Sequence, residues 1–327
     1  MPDTYTSQFS GEEIDAALRA AQIISGADTP AALRKKLEIR GDTIPVSATD
    51  PTPVSEALTA SGGGVNPNLL DNPLFQVWQR YSDGSYTGVP NKAYIADRWF
   101  ILSSNGGEKN KITKVSPYGI KNESGPNCRF FQRLENAAQY NGMTLTLSVL
   151  KNDSHLFTST LVASGWSDTT DIFGFFVNGG EGAIAWLNAG ETILAAKLEL
   201  GSAQTLAHKE GDKWVLNEIP DFGEQLRRCQ RYFVRLTNTY GYGWTYNSSI
   251  ANFFVSLPTT MRANPVIKLT TNGEIQTING AKSVTGFEAK GIHPNGFAID
   301  LHNSANALIT GTPVTWHSSS MDISADL

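Results

Sequence analysis

The feature that most constrains the fold is a long succession of short apolar segments, separated by turn residues, from residue 68 onward. In the segment MTLTLSVLK (143–151), Thr144, Thr146 and Ser148 alternate with apolar residues. Alternation of this kind predicts strands with one face in a core and the other in water, as in antiparallel sheets. The chain also contains 30 Gly and 15 Pro, which supply the many turns that such a fold needs.

The predicted strands form two series on either side of the segment FGEQLRRCQRYF (222–233). The first series comprises ADRWFILSS, CRFFQRLE, MTLTLSVLK, HLFTSTLVAS, IFGFFVNGG, AIAWLNA and ILAAKLELG, and the second comprises YFVRL, IANFFVSL, PVIKLTT, SVTGFEAK, GFAIDLHN, ALITG and VTWHS. We therefore expect a mainly β protein with two antiparallel β-sandwich domains of jelly-roll type. The first domain is predicted to span residues 68–220 and the second residues 221–327, with a short helix between them.

The region before these domains differs in composition. Ser10 and Glu13 form a capping box, which predicts the start of a helix. The helix carries a narrow apolar stripe at Ile14, Leu18, Ala21 and Ile24. A helix this short needs a partner, so residues 1–40 are predicted to mediate oligomerisation or attachment; the alternative is a frayed tail. Residues 41–67 are rich in Pro, Gly, Ser and Thr and are predicted to be a linker.

Composition and motifs argue against several function classes. The net charge of −5 does not favour binding to nucleic acid or to an anionic membrane, and no apolar stretch is long enough to insert into a bilayer. The N-terminus has no basic segment followed by an apolar one, so we expect synthesis in the cytoplasm without a signal peptide. No nucleotide-binding, metal-binding or hydrolase motif occurs. We therefore expect no enzyme activity, no metal and no cofactor.

The segment FGEQLRRCQRYF has two interpretations. Arginines around Cys229 could lower the pKa of a reactive thiol. Helical spacing instead places Cys229 on an apolar face with Phe222, Leu226 and Phe233, which predicts a buried, inert thiol. We favour the second interpretation, in which the arginines pair with carboxylates. The predicted structural junction comprises Leu226, Cys229, Arg231 and Tyr232.

The segment TYGYGWTY (239–246) contains the candidate ligand-binding residues. Aromatic side chains recur there at every second position, at Tyr240, Tyr242, Trp244 and Tyr246. In a strand, all four would project from one face. Aromatic rings with polar tips suit contact with sugar rings, so this aromatic ladder is a candidate glycan-binding surface. A core or subunit interface and an irregular loop remain as alternatives.

Several blocks of sequence resemble tail-fibre proteins of phages and prophages of gut bacteria. They are YTSQFSGEEIDAAL, NPNLLDNPLFQVWQR with YIADRWF, AAKLELGSAQTLAHKEGDKWVLNEIPDFGEQLRRCQRYF and the terminal MDISADL. The second block is similar to the first strands of a carbohydrate-binding-module-like sandwich. The third block is the most specific, because it ends in a helix with the Cys-Gln-Arg-Tyr signature. The chain lacks the long repetitive shaft of many such fibres.

The resemblance implies a homotrimeric appendage of the virion. Its N-terminal segment would bind other tail or baseplate proteins, and its C-terminal β-domain would be the receptor-binding tip that binds a host surface polysaccharide. Two other functions remain open. One is a structural fibre of the head, collar or baseplate that binds no receptor. The other is a depolymerase or esterase, because scattered carboxylates could form a glycosidase pair.

Overall fold

The computed structural model of the protein describes residues 45–47, 50–53, 66–90, 92–103, 110–152, 155–167, 169–171 and 186–326. The chain divides into two compact units, Met1–Val65 and Asn66–Leu327. In the first unit, strands β1 (Pro45–Ser47) and β2 (Asp50–Pro53) pair antiparallel within the predicted linker. The predicted helix with Ile14, Leu18, Ala21 and Ile24 lies outside the described residues.

The N-terminal half of the second unit consists of several small antiparallel sheets. Its strands are β3 (Ser85–Val89), β4 (Phe100–Ser103), β5 (Asn110–Lys114), β6 (Ile120–Ser124), β7 (Cys128–Phe131), β8 (Arg133–Glu135), β9 (Thr144–Lys151), β10 (His155–Val162), β11 (Thr169–Asp171), β12 (Trp186–Leu187), β13 (Thr192–Ile193), β14 (Ala195–Leu200), β15 (Ala207–Glu210) and β16 (Lys213–Leu216). The sheet orders are β13-β6-β5-β3, β12-β7-β4, β10-β9-β14, β11-β8 and β15-β16. One apolar core, which includes Phe75, Trp99, Phe130 and Leu147, lies between them.

Strand β9 differs from the expectation in one respect. Its bounds agree with the alternating segment, but Thr146 and Ser148 are fully buried instead of facing water. The neighbouring strand β14 places Lys197 and Glu199 on the same face, and both side chains are also buried. Thr205 covers them, since its backbone N–H donates to Glu199 at 2.6 Å. The polar face therefore packs against the following loop.

The helix α1 (Phe222–Gln230) separates the two halves of the second unit. It begins at Asp221, whose carboxylate accepts a hydrogen bond from the backbone N–H of Glu224 at 2.8 Å. This N-cap satisfies one of the backbone donors that a helix start leaves unpaired. The sequence FGEQLRRCQ thus folds as predicted for a short helix that is followed by a strand.

The C-terminal half forms one antiparallel sheet of eight strands. They are β17 (Phe233–Thr245), β18 (Ile250–Ser256), β19 (Val266–Thr271), β20 (Glu274–Thr277), β21 (Gly280–Ser283), β22 (Gly286–His293), β23 (Gly296–His302) and β24 (Pro313–Ser324). Their order is β21-β20-β24-β17-β18-β23-β22, and β19 pairs with the distal part of β24. A second core includes Phe253, Phe297, Ile299 and Trp316. The segment ALITG (307–311), predicted as a strand, is irregular and ends in a turn.

Together these observations establish a mainly β architecture of antiparallel sheets, in agreement with the predicted fold class. Both halves belong to the single compact unit Asn66–Leu327. The division into domains 68–220 and 221–327 therefore stays a prediction.

Candidate ligand-binding cleft

The aromatic ladder lies on the surface of the C-terminal sheet. The exposed fractions are 59% for Tyr240, 77% for Tyr242, 67% for Trp244 and 74% for Tyr246. The first three belong to β17, and Tyr246 follows the end of that strand. The rings of Tyr240 and Tyr242 meet edge to face, with centroids 5.3 Å apart. The ladder is therefore not part of the core of its own chain.

Two glycines on the opposite face of β17 hold the ladder outward. Phe253 and Trp316 pack beneath the strand, with ring centroids 5.7 Å apart. A Cβ atom at Gly241 would lie 3.7 Å from Phe253, which is an ordinary contact. A Cβ atom at Gly243 would lie only 2.7 Å from the same ring. The bare face of β17 thus lets two core rings approach the backbone, and the sheet presents its other face to solvent.

A cleft of about 700 Å³ opens beside the ladder. Tyr242 and Trp244 line it, whereas Tyr240 and Tyr246 do not. The remaining lining residues are Gly243, Asn252, Phe253, Phe254, Gln276, Thr277, Ile278, Pro313, Val314 and Thr315. The volume lies within the range of small-molecule sites, and the lining combines apolar area with a few polar groups.

Strand pairing explains why these residues meet. Trp244 pairs with Asn252 on β18 and with Pro313 on β24. Tyr242 pairs with Thr315 on β24, and Thr315 pairs with Gln276 on β20. Residues that pair across antiparallel strands project from the same face. The cleft is thus assembled from four neighbouring strands that are distant in sequence.

Two exposed apolar residues of the cleft were not predicted from the sequence. Phe254 is 69% exposed and Ile278 is 73% exposed. Phe254 follows the buried Phe253, so the segment IANFFVSL contains one ring for the core and one for the cleft. Neighbouring residues of a strand point to opposite faces, so the adjacent Phe253 and Phe254 could have predicted that one ring is exposed.

Charged residues form a separate network at the edge of the cleft. Asn252 donates through Nδ2 to Asp300 at 2.7 Å, and Lys290 forms ion pairs with Asp300 and, at 3.3 Å, with Glu288. Burial opposes ionisation of Asp300, but the hydrogen bonds from Lys290 and Asn252 outweigh burial and lower its pKa. Hydrogen bonds to Asp300 and Glu288 raise the pKa of Lys290. Asp300 and Lys290 therefore stay ionised near neutral pH.

The predicted junction residues lie against the N-terminal half of the unit. Leu226 is half-buried, and Cys229 is fully buried. Burial raises the pKa of the Cys229 thiol well above its usual range, so the thiol is not activated. Arg231 contacts Glu135 at 3.2 Å, and the hydroxyl of Tyr232 donates to the same carboxylate at 2.9 Å.

The other arginines of this region also pair with carboxylates. Arg227 contacts Glu224 at 2.8 Å, Arg228 contacts Asp71 at 2.7 Å, and Arg235 contacts Asp322 at 2.6 Å. The prediction for Phe222 is wrong, because its side chain is 50% exposed. Phe222 is the first residue of the helix, where no element of the described chain covers it.

A buried arginine connects the helix region to the first sheets. Arg98 is 1% exposed, and its Nε donates to Asp71 at 2.9 Å. Its guanidinium also stacks over the ring of Tyr232, 3.5 Å from the centroid. Nearby, burial raises the pKa of Asp97 to about 6, although Arg80 opposes the shift. These polar contacts fix α1 and the start of β17 against the segment around Asp71.

A smaller cavity of about 270 Å³ lies at the N-terminus of α1 and is a weaker candidate. Its two cations are Lys197 and Arg228. Lys197 donates to Thr205 at 2.6 Å and lies 3.5 Å from Glu199, and Arg228 is bound to Asp71. Both cations already have protein partners, so this cavity offers a ligand less than the aromatic cleft does.

Two further properties concern only the part of the chain that the structure describes. No group of three or more His, Cys, Asp or Glu side chains is placed to hold a metal ion. No helix there is long and apolar enough to cross a membrane.

Comparisons with known proteins add little to this description. No protein-family model matches the chain, and no curated protein matches it. Among solved structures, recombinant discoidin II of Dictyostelium discoideum is similar at 8% identity, over 82% of this chain and 97% of that chain, with a TM-score of 0.19. A TM-score this low carries no argument about fold or function.

Proposed function

We propose that the protein is a phage tail-fibre or receptor-binding protein that attaches the virion to a glycan on the host bacterial surface. The observation that carries the proposal is the exposed aromatic cleft at Tyr242 and Trp244. Large exposed apolar patches beside a cleft mark ligand-binding grooves or protein interaction sites. The sequence resemblance to tail fibres supplies the biological context.

In this proposal, three copies assemble into one spike on the virion. Residues 1–40 bind one another and the tail or baseplate, and two sandwich domains joined by α1 carry the cleft at the tip. Each cleft binds sugar reversibly and weakly. Three linked clefts raise the overall affinity, because the second and third binding events occur at a high effective concentration. The protein acts by adhesion and has no catalytic role.

Binding to bacterial cells tests the function. Fluorescently labelled full-length protein is mixed with a panel of enteric strains, and bound protein is measured by flow cytometry. We expect at least one strain to bind, and we expect Trp244→Ala and Tyr242→Ala to weaken binding about tenfold or more, as for an aromatic hot spot.

The matched control is Phe222→Ala, which removes an exposed ring outside the cleft. It should bind like the unmodified protein. Failure to bind any strain would contradict the proposal and favour a structural fibre, whereas full binding by Trp244→Ala would show that the cleft is not the binding site.

The assembly is tested separately by light scattering in solution. The full-length chain should have the mass of a trimer, and deletion of residues 1–40 should lower the number of copies in the assembly. A full-length monomer would contradict the trimer.

A further inference from the structure

The cleft is notable for the charge of its lining. None of its twelve lining residues is Asp, Glu, Lys, Arg or His. Sites that bind carboxylate or phosphate groups use cations, because paired charge compensates for the desolvation of the anion. The lining offers no such cation.

The nearest charged network cannot supply one either. On Asp300, Oδ1 accepts from Asn252 and Oδ2 accepts from Lys290. Lys290 is bound to both Asp300 and Glu288, so its ammonium is already paired. One lysine with two carboxylates leaves this network with an excess of one negative charge, which disfavours an anionic ligand at this edge of the cleft.

Two amides supply uncharged polar groups to the cleft. An ionised carboxylate only accepts hydrogen bonds, so Asn252 must turn its NH₂ group towards Asp300. Likewise, Gln276 must turn its NH₂ group towards the backbone carbonyl of Thr277, at 3.2 Å. Each amide uses one N–H in this bond, so its oxygen and its second N–H remain for a ligand. The cleft therefore offers uncharged donors and acceptors, which suit sugar hydroxyls, and no cation for an anionic group.

We infer that the cleft selects an uncharged, hydroxyl-rich glycan and discriminates against acidic glycans. Sugar rings stack on Tyr242 and Trp244, and sugar hydroxyls or acetamido N–H groups donate to Asn252 and Gln276. Carboxylate and phosphate substituents would lose their hydration without a cation to pair with, beside a network that has an excess of negative charge. This inference rests on the proposed function, because it names the class of glycan that the same cleft would bind.

Competition for cell binding tests the inference. Polysaccharide is extracted from a strain that binds the protein and is separated into neutral and acidic fractions by anion exchange. Each fraction then competes with the labelled full-length protein. We expect the neutral fraction to compete at a concentration at least tenfold lower than the acidic one. Binding should also change little between about 50 mM and about 500 mM salt, since no ion pair is involved.

A charge variant gives the second measurement. Gln276→Lys places a cation in the cleft and removes an acceptor, so it should weaken competition by the neutral fraction and strengthen competition by the acidic one. Thr271→Lys adds the same charge at an exposed position on β19 outside the cleft and should change neither.

The outcomes separate the two proposals. Competition by the acidic fraction alone, together with loss of binding on Trp244→Ala, overturns the inference and leaves the receptor-binding function standing. Binding to no strain overturns both, and binding that Trp244→Ala does not weaken overturns the inference because the ligand then binds outside the cleft.

Discussion

The glycine at position 243 allows a sharp test of how the aromatic face is built. A Cβ atom there would lie 2.1 Å from the backbone oxygen of Asn252 and 2.7 Å from the ring of Phe253. Carbon atoms in a packed interior are normally about 3.5–4.0 Å apart. The oxygen belongs to the neighbouring strand β18, so no side-chain rotation can relieve the clash and the two strands must separate.

Gly243→Ala should therefore destabilise the protein strongly. Overpacking of a core typically costs about 1–3 kcal/mol, and the need to move a backbone places this change at about 3 kcal/mol. Gly241→Ala is the matched control, because its Cβ atom would lie 3.7 Å from Phe253 and 3.8 Å from Trp316. Alanine there should be neutral or stabilise the strand by about 0.5–1 kcal/mol, since glycine is the more flexible residue when unfolded.

The measurement is equilibrium unfolding in urea, followed by tryptophan fluorescence. The two variants should differ by about 3–4 kcal/mol in the free energy of unfolding. If Gly243→Ala is as stable as Gly241→Ala, the glycines do not position the core rings, and the explanation for the outward aromatic face is wrong.

Three further predictions concern the buried junction. Burial raises the pKa of Asp97 from its usual value near 3.9 to about 6. Its protonated form therefore stabilises the fold below about pH 4, and this stabilisation, about 3 kcal/mol, is lost as the pH rises through 6. Asp97→Asn should remove this pH dependence from thermal unfolding, and an unchanged dependence of Tm on pH would contradict the prediction. Arg98→Met should lower the free energy of unfolding by about 3–5 kcal/mol, because it leaves the buried Asp71 with one cation fewer. The control, Arg227→Met on the exposed face of α1, should lower it by less than about 1 kcal/mol. The buried Cys229 thiol should react with an alkylating reagent only after the protein unfolds, which peptide mass spectrometry can measure. Rapid labelling of the folded protein would contradict the burial of this thiol.

Local patterns in the sequence predicted the strands with strong alternation and the helix at the junction. The bounds of β9, β10 and β18 follow the apolar runs within a residue or two. The aromatic spacing of two at 239–246 fits a strand, one of the alternatives left open, and residues 239–245 form the distal part of β17. These features depend on neighbouring residues alone, so the sequence carries them directly.

Features that depend on tertiary packing were not predictable. The burial of Thr146 and Ser148 results from the loop that contains Thr205, which no local pattern places over β9. The position of Phe254 beside Trp244 requires the register between β17 and β18. The polar strands β20 and β21 have too few apolar residues to stand out, yet β20 supplies Gln276 to the cleft.

The cleft also required pairings between distant segments. Trp244 meets Pro313 through β24, and Thr315 meets Gln276 through the same strand. From the sequence, only the aromatic residues could be proposed as a site. The amide acceptors and the uncharged lining became visible once four strands were placed side by side.

The long pairing of β17 with β24 has a mechanical consequence. The two strands run antiparallel from the pair Phe233–Ser324 to the pair Trp244–Pro313. The strand β17 has 13 residues, so it extends over about 40 Å between the helix and the cleft. A pull between these two points acts along the strand axis, across hydrogen bonds that lie perpendicular to it. Such bonds must break together in shear, so a load between the helix and the cleft does not open the sheet one bond at a time.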